Sequence, residues 1–147
     1  MLYYPLFVIL LARYLLWVMF GITLILGFKN NKFLINSVLS LVIVRIVEGI
    51  IKFKFPVDRP FIANPNLIPL VSTSDPSFPS VHAALAGAMA MMIGIYFPKY
   101  RILAFGMAIL IALGRVLALV HYPRDVIVGF IIGLGISWLV LKIRGEK

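Results

Sequence analysis

His82 and His121 are the only histidines in this 147-residue chain, and each lies among polar residues in an otherwise apolar sequence. His121 is followed four residues later by Asp125, with Pro123, a residue favoured in the first turn of a helix, between them. A carboxylate one helical turn away can accept a hydrogen bond from one ring nitrogen and leave the other free as a nucleophile. His82 would then be available as a general acid for a leaving oxygen.

Cations and a hydroxyl group accompany these histidines. Lys52, Arg59 and Arg115 suit a phosphate, because a guanidinium group holds two oxygens at once and a lysine adds a point charge. Ser80 follows Pro79 at an expected helix N-cap, where free backbone N–H groups and the helix dipole favour an anion. A nucleophile, an acid and a cationic cradle together predict phosphoryl transfer.

The histidines and Asp125 are also ligand types for a metal ion such as zinc. Catalytic zinc sites usually have three protein ligands and no surrounding group of cations, so we expect no metal and no cofactor here. The chain has no cysteine, which excludes thiol chemistry. Taken singly, each histidine is more readily a packing residue and each basic residue a lipid anchor, so the prediction depends on their combination.

The composition predicts that these residues belong to an integral membrane protein. The chain is 63% hydrophobic and 13% charged, and its mean hydropathy is +1.08, far outside the balance of a soluble domain. Apolar runs of about 20 residues, the length needed to cross the hydrocarbon core, recur along it. We predict a single all-α, polytopic transmembrane domain over residues 1–147. Its five spans are expected near 2–28, 33–53, 80–97, 102–120 and 123–143.

The first apolar run lacks a basic start and a cleavage site of the A-x-A kind, so we expect a retained span and not a signal peptide. The net charge of +9 lies at the ends of apolar runs, which indicates membrane topology and argues against nucleic-acid binding. Five spans place the termini on opposite sides. One side holds seven basic residues and the other five, so the positive-inside rule predicts an outer N-terminus and a cytoplasmic C-terminus.

Because successive spans alternate in direction, the span ends that carry the candidate residues meet at one membrane face. The only long connection, 54–79, is expected over that site, where its apolar residues could gate lipid entry or simply rest in the interface. Within the spans, we expect Arg13 or Arg45 to neutralise Glu48 and hold the first two helices together. Glu48 could also orient Lys52, one turn further along. The glycines of the last span, Gly129, Gly133 and Gly135, predict close internal helix packing.

Three motifs in this order resemble the signature of the type 2 phosphatidic acid phosphatase superfamily. They are Lys52-(x6)-Arg59-Pro60, Pro79-Ser80-Val81-His82 and Arg115-(x5)-His121-(x3)-Asp125. The family forms are KxxxxxxRP, PSGH and SRxxxxxHxxxD, and the match extends over about half of the chain. Two positions differ from the pattern, since Val81 stands at the usual glycine and Gly114 at the usual serine. Membrane members typically have six spans, one more than predicted here.

The resemblance implies a role for each matching residue. His121 would attack phosphorus and form a phosphohistidine, Asp125 would orient it, and His82 would protonate the leaving group and then help water to release phosphate. The phosphoryl oxygens would be held by Lys52, Arg59, Ser80, Val81 and Arg115. The family requires no metal.

We therefore expect a metal-independent membrane phosphatase that acts on a phosphorylated lipid. The preferred substrates are polyprenyl carriers, undecaprenyl or dolichyl pyrophosphate or monophosphate. Phosphatidic acid and phosphatidylglycerol phosphate are close alternatives, and a lipid phosphotransferase or a lipid-binding scaffold is a further one. A small transporter is disfavoured, because the ionisable groups gather at one face. The oligomeric state is left open.

Overall fold

The computed structural model describes residues 3–71 and 73–146, and every regular element in these ranges is helical. The long helices lie where apolar runs predict them, between polar or Pro/Gly-containing links. The helices are α1 (Tyr3–Ile9), α2 (Leu15–Gly27), α3 (Asn31–Lys54), α4 (Pro60–Ala63), α5 (Val81–Tyr96), α6 (Arg101–Leu117) and α7 (Pro123–Ile143). A π-helical segment, Leu10–Tyr14, joins α1 to α2. The Asn30 side chain caps α3 by accepting a 3.0 Å hydrogen bond from the backbone N–H of Phe33.

The chain is an integral membrane protein with four stretches of helix long and apolar enough to cross a bilayer. They are Pro5–Gly27, Asn31–Lys54, Pro98–Leu117 and Pro123–Ile143. The predicted span at 80–97 is a shorter apolar helix, α5, of 16 residues. The predicted span at 102–120 ends as a helix at Leu117. The structure thus has helices at all five predicted places, but one is shorter than a typical span.

Helix α5 lies at the centre of the bundle, packed against α3, α6 and α7. Its alanines and glycines are buried, so neighbouring backbones come very close. A Cβ atom at Gly133 of α7 would lie 2.0 Å from the carbonyl oxygen of Ala84, and one at Gly129 would lie 2.5 Å from that of Ser80. Close internal packing is confirmed for these two glycines. The prediction is wrong for Gly135, where no described atom beyond the adjoining turns of its own helix lies within 4 Å of such a Cβ.

The turn between α6 and α7 is built on a small separate core. Val8 and Ala12 of the first helical stretch pack there with Val71 of the long connection and with Ala118 and Val120. Leu119, between the last two, has a φ of 61°, in the left-handed region that branched residues rarely adopt. The predicted helix is wrong at 118–120, because Ala118 and Val120 leave the helix to fill this core.

The intramembrane charges do not join the first two helices. The Nη1 atom of Arg45 lies 3.6 Å from Oε2 of Glu48 within the same helix, α3. The guanidinium group of Arg13 lies over the ring of its neighbour Tyr14, 5.8 Å from the ring centroid. The predicted neutralisation of Glu48 by Arg45 is confirmed as an ion pair, but the predicted link between helices is wrong.

Candidate active site

All predicted site residues lie at one end of the bundle, on separate elements. Lys52 lies in the last turn of α3, and Arg59 directly precedes α4. Ser80 is the N-cap residue of α5, and Val81 and His82 are its first two residues. Arg115 lies in the last turn of α6, His121 in the following turn, and Asp125 in the first turn of α7. The start of α5 is joined to α7 directly, because the backbone N–H of Ser80 donates a 3.0 Å hydrogen bond to the carbonyl oxygen of Asp125. Alternating helix direction therefore brings the three motifs together.

Asp125 is held firmly beside His121. Its Oδ2 atom accepts hydrogen bonds from the hydroxyl of Ser77 at 2.6 Å and from the backbone N–H of Tyr122 at 2.9 Å. The same Oδ2 lies 3.6 Å from Nδ1 of His121, longer than a hydrogen bond, and the Ser77 hydroxyl lies 3.4 Å from that nitrogen. The carboxylate thus reaches the imidazole with the Ser77 hydroxyl alongside it. Sequence reasoning missed Ser77; its position, directly before Phe78-Pro79-Ser80, was the available signal.

The other ring nitrogen of His121 faces a cation. Nη1 of Arg59 lies 3.3 Å from Nε2 of His121 and also donates a 2.6 Å hydrogen bond to the carbonyl oxygen of Val120. Because a protonated guanidinium group can only donate, Nε2 is the acceptor and Nδ1 carries the proton. Burial lowers the pKa of His121 to about 4, and the charges of Arg115 and Arg59 add to this, against the opposing effect of the nearby Asp125 carboxylate. The imidazole is therefore neutral at pH 7, with the lone pair on Nε2.

Asp75 joins two of the predicted phosphate-binding cations, and sequence reasoning missed it. Its carboxylate lies 2.9 Å from Nζ of Lys52 and accepts 2.8 Å hydrogen bonds from Nη2 of Arg59 and from the hydroxyl of Thr73. Lys52 also donates to the carbonyl oxygen of Pro76. Burial alone would raise the pKa of Asp75, but the hydrogen bonds and charges of these partners hold it well below its usual range. Asp75 is thus an anion bound where Lys52 and Arg59 meet.

Two buried donors at the site have no hydrogen-bond partner within the described residues. They are Nε of Arg115 and the hydroxyl of Ser80. Arg115 also donates from Nη1 to the carbonyl oxygen of Ala12 at 3.0 Å, which fixes the position of its guanidinium group. Buried polar groups normally find a partner, so these atoms suit an anion that enters the site.

A cavity of about 520 Å³ is lined by several of these groups, but Lys52 and Ser80 are not among its lining residues. Its polar part is lined by Arg59, Thr73, Asp75, His82, Arg115 and His121, and its remaining part by Leu16, Trp17, Phe20, Arg45, Val81 and Leu85. The two histidines therefore share one cavity. Within the ranges the structure describes, no group of three or more His, Cys, Asp or Glu side chains is arranged to hold a metal ion.

The two departures from the family motif have different surroundings. A Cβ atom at Gly114 would lie 2.7 Å from Cβ of Leu11 and 2.8 Å from the backbone nitrogen of Ala12. A serine there would collide with the π-helical segment, so the glycine is required by packing. Val81 is half-buried and lines the cavity, where its side chain occupies space that a glycine would leave open.

The cavity of this helical membrane bundle holds two histidines, one of them beside a carboxylate, together with several cations. This combination is typical of membrane phosphatases. The model of the PAP2 superfamily matches residues 33–147, and the chain belongs to this superfamily. The resemblance stated from the sequence is thereby confirmed.

The chain is similar to two groups of curated relatives. It is 31% identical over 135 residues to an undecaprenyl-diphosphatase of Sulfolobus acidocaldarius, which covers 90% of this chain and 66% of the relative. It is 40% identical over 63 residues to a lipid A 1-phosphatase of Rhizobium johnstonii, which covers 43% of this chain and 26% of that protein. The chain thus spans less than two thirds of the length of these relatives.

Two solved structures share the fold. The crystal structure of Aquifex aeolicus LpxE has a TM-score of 0.80 and 26% sequence identity over 96% of this chain and 84% of that one. The PAP2 type phosphatidylglycerolphosphate phosphatase from Bacillus subtilis has a TM-score of 0.61 and 23% identity at the same coverage, which shows the fold alone.

Proposed function

We propose that this protein is a membrane lipid phosphatase that removes the terminal phosphate of a lipid phosphate or diphosphate. One observation carries the proposal: Nε2 of neutral His121 faces Arg59 at 3.3 Å, while Asp125 and Ser77 hold the opposite side of the ring. This arrangement presents an oriented nitrogen lone pair beside a cation. Such a pair suits attack on an anionic phosphoryl group.

In the proposed reaction, the Nε2 lone pair of His121 attacks phosphorus, and the bond from phosphorus to the leaving oxygen breaks with its electrons on that oxygen. His82 donates a proton to the leaving oxygen. Water then attacks the phosphohistidine, His82 accepts a proton from that water, and the P–N bond breaks to release phosphate. Asp125 keeps the proton of His121 on Nδ1 throughout, so Nε2 is ready for the next cycle.

The same geometry supports a phosphate cradle. Arg115 and Ser80 supply the buried donors without partners, and Arg59 supplies Nη1 at the point of attack. The backbone at Val81, in the first turn of α5, adds the positive end of the helix dipole. Lys52 would join them when Asp75 releases it. This chemistry needs no metal ion or cofactor.

Among substrates we favour polyprenyl carriers, undecaprenyl or dolichyl pyrophosphate or monophosphate, and similarity to an undecaprenyl-diphosphatase supports this class. Phosphatidic acid and phosphatidylglycerol phosphate are the alternatives, as are transfer to a second lipid and non-hydrolytic lipid binding. Transfer is distinguished from hydrolysis by whether the phosphate appears in water or on an acceptor lipid.

For the topology we propose five spans in a single domain, with α5 crossing inside a shell of longer helices. The site then faces the extracytoplasmic side beneath the 54–79 connection, the N-terminus lies outside and the C-terminus is cytoplasmic. Because the chain lacks cysteine, single cysteines at Asn66 and Lys99 test this with a membrane-impermeant maleimide. Labelling of intact cells at residue 66 and not at 99 is expected; the reverse would contradict the orientation.

Phosphate release in the presence of EDTA tests the activity. The purified protein is given undecaprenyl pyrophosphate, undecaprenyl monophosphate or phosphatidic acid in detergent micelles, beside His121→Ala and a control, Lys99→Gln, in the link before α6. We expect release by the wild type and the control, and loss in His121→Ala. Phosphate release that persists in His121→Ala would exclude a phosphohistidine intermediate at this residue. No release from any of the lipids would exclude the proposed phosphatase activity.

A further inference from the structure

The cavity that holds the catalytic groups also has an apolar wall. This wall is formed by Leu16, Trp17 and Phe20 of α2 and by Leu85 of α5. Trp17 is 68% exposed and lies in a stretch apolar enough to span the bilayer, so this end of the cavity faces lipid. These apolar walls fit the first part of a lipid chain.

One cation, Arg45, lines this apolar part of the cavity. It precedes Lys52 by seven residues, which is two turns or about 10 Å along α3 and therefore within the span. A charged side chain at this depth is costly unless it serves a partner or a ligand. Lys52 lies with the catalytic groups at the end of the bundle, so Arg45 lines the same cavity about two turns deeper along α3.

The guanidinium group of Arg45 has donors to spare. Its ion-pair partner Glu48 is 3.6 Å away, beyond a hydrogen bond, and both carboxylate oxygens of Glu48 are buried with no hydrogen-bond partner in the described part of the chain. The Arg45 side chain is 58% exposed, while Glu48 is fully buried. The pair therefore balances charge but leaves the guanidinium fork open toward the cavity.

We propose that the site takes a lipid diphosphate and that Arg45 binds its inner phosphate, the one attached to the lipid chain. This proposal rests on the proposed function. The outer phosphate must sit at His121 to be attacked. A diphosphate then places a second anion on the lipid side of the reacting phosphorus, where Arg45 lies. A monophosphate has only an ester oxygen and an apolar chain there, which leaves Arg45 without a ligand.

Arg45 also has a role in bond cleavage under this proposal. When Nε2 of His121 attacks the outer phosphorus, the bond from that phosphorus to the bridging oxygen breaks and its electron pair stays on the bridging oxygen. His82 supplies a proton, and the lipid monophosphate departs. Arg45 stabilises the negative charge that builds on this leaving phosphate, which makes it a specificity-determining residue for diphosphates.

The test compares two substrates that differ only in the number of phosphates, undecaprenyl pyrophosphate and undecaprenyl monophosphate, in the same micelles. Arg45→Gln should lower the ratio of kcat/KM for the diphosphate to that for the monophosphate by roughly ten- to a hundredfold, the value of one or two hydrogen bonds between charged groups. Arg45→Lys should recover part of the ratio. The matched control is Arg13→Gln, an exposed arginine within a span that does not line the cavity, and it should leave the ratio unchanged.

A binding readout accompanies the rates. Methylene diphosphonate, a non-hydrolysable diphosphate, and inorganic phosphate are each tested as competitors of monophosphate hydrolysis. Arg45→Gln should weaken inhibition by the diphosphonate more than inhibition by phosphate. Equal losses on both substrates and both inhibitors would overturn the proposal and make Arg45 a structural residue. If the wild type hydrolyses only the monophosphate, the proposal for Arg45 is overturned but the proposed phosphatase function is supported. If the wild type is inactive on both substrates, the proposed function itself is overturned.

Discussion

The acid titration of His121 tests the reasoning about the nucleophile most directly. Burial and two arginines lower the pKa of this imidazole from 6.5 to about 4. The difference corresponds to roughly 3 kcal/mol in favour of the neutral form. At pH 5 a group with the lowered pKa is about nine-tenths neutral, whereas one with the ordinary pKa is only about 3% neutral. In the proposed reaction only the neutral ring attacks, so activity should persist well below pH 6.

The measurement uses the small number of histidines in the chain. Histidine-selective isotope labelling and NMR in micelles should give two imidazole signals, one for each histidine, and His82→Gln assigns the signal of His121. We expect the His121 signal to titrate near pH 4. The low-pH limb of kcat/KM with a substrate of known ionisation should fall at the same place. A midpoint between pH 6 and 7 would refute the burial and charge argument.

A charge substitution separates the causes. Arg59→Gln removes the cation that lies 3.3 Å from Nε2, so the pKa of His121 should rise by about one unit. The rise is only partial because burial, the larger cause, remains. Arg59→Lys keeps the charge and should leave the midpoint closer to that of the wild type. Equal shifts in both variants would point to a rearranged site instead of lost charge.

Three further substitutions, the last with a matched control, probe contacts that join distant residues. Ser77→Ala removes the 2.6 Å hydrogen bond to Asp125 and should lower kcat roughly tenfold with little change in KM, measured by phosphate release. Asp75→Asn removes the anion that neutralises two cations and should tighten inhibition by inorganic phosphate on the order of tenfold. Gly133→Ala, whose Cβ would lie 2.0 Å from a backbone oxygen, should lower the thermal midpoint in detergent, while Gly135→Ala, in open space, should not.

Each of these has a contrary outcome. A rise in KM with unchanged kcat in Ser77→Ala would show that the hydroxyl binds substrate and does not orient Asp125. Weaker phosphate inhibition in Asp75→Asn would show that the carboxylate holds Lys52 and Arg59 in place. Equal thermal midpoints for the two glycine variants would contradict the tight contact between α5 and α7.

Local patterns in the sequence determined the helices and the chemical character of the site. Apolar runs punctuated by polar and proline-containing links predict α3 and α7 within two residues of their observed ends, because hydropathy and helix termination depend on neighbouring residues. Motif spacing predicted Arg115, His121 and Asp125 as one group, since all three lie within eleven residues of one another. Alternation of the helices then placed them beside His82.

Contacts between distant residues were decided only by the tertiary structure. Ser77 reaches Asp125 across 48 positions and Arg59 reaches His121 across 62, and no local pattern specifies such pairs. Residues 118–120 are as apolar as the helix before them, yet Ala118 and Val120 fill a small core together with Val71 of the long connection, which only packing reveals. Gly114 was a departure from a motif in the sequence, and the structure shows that close contact with the π-helical segment requires it. Hydropathy acts along the chain, whereas the fit of a side chain depends on the neighbours that the fold brings to it.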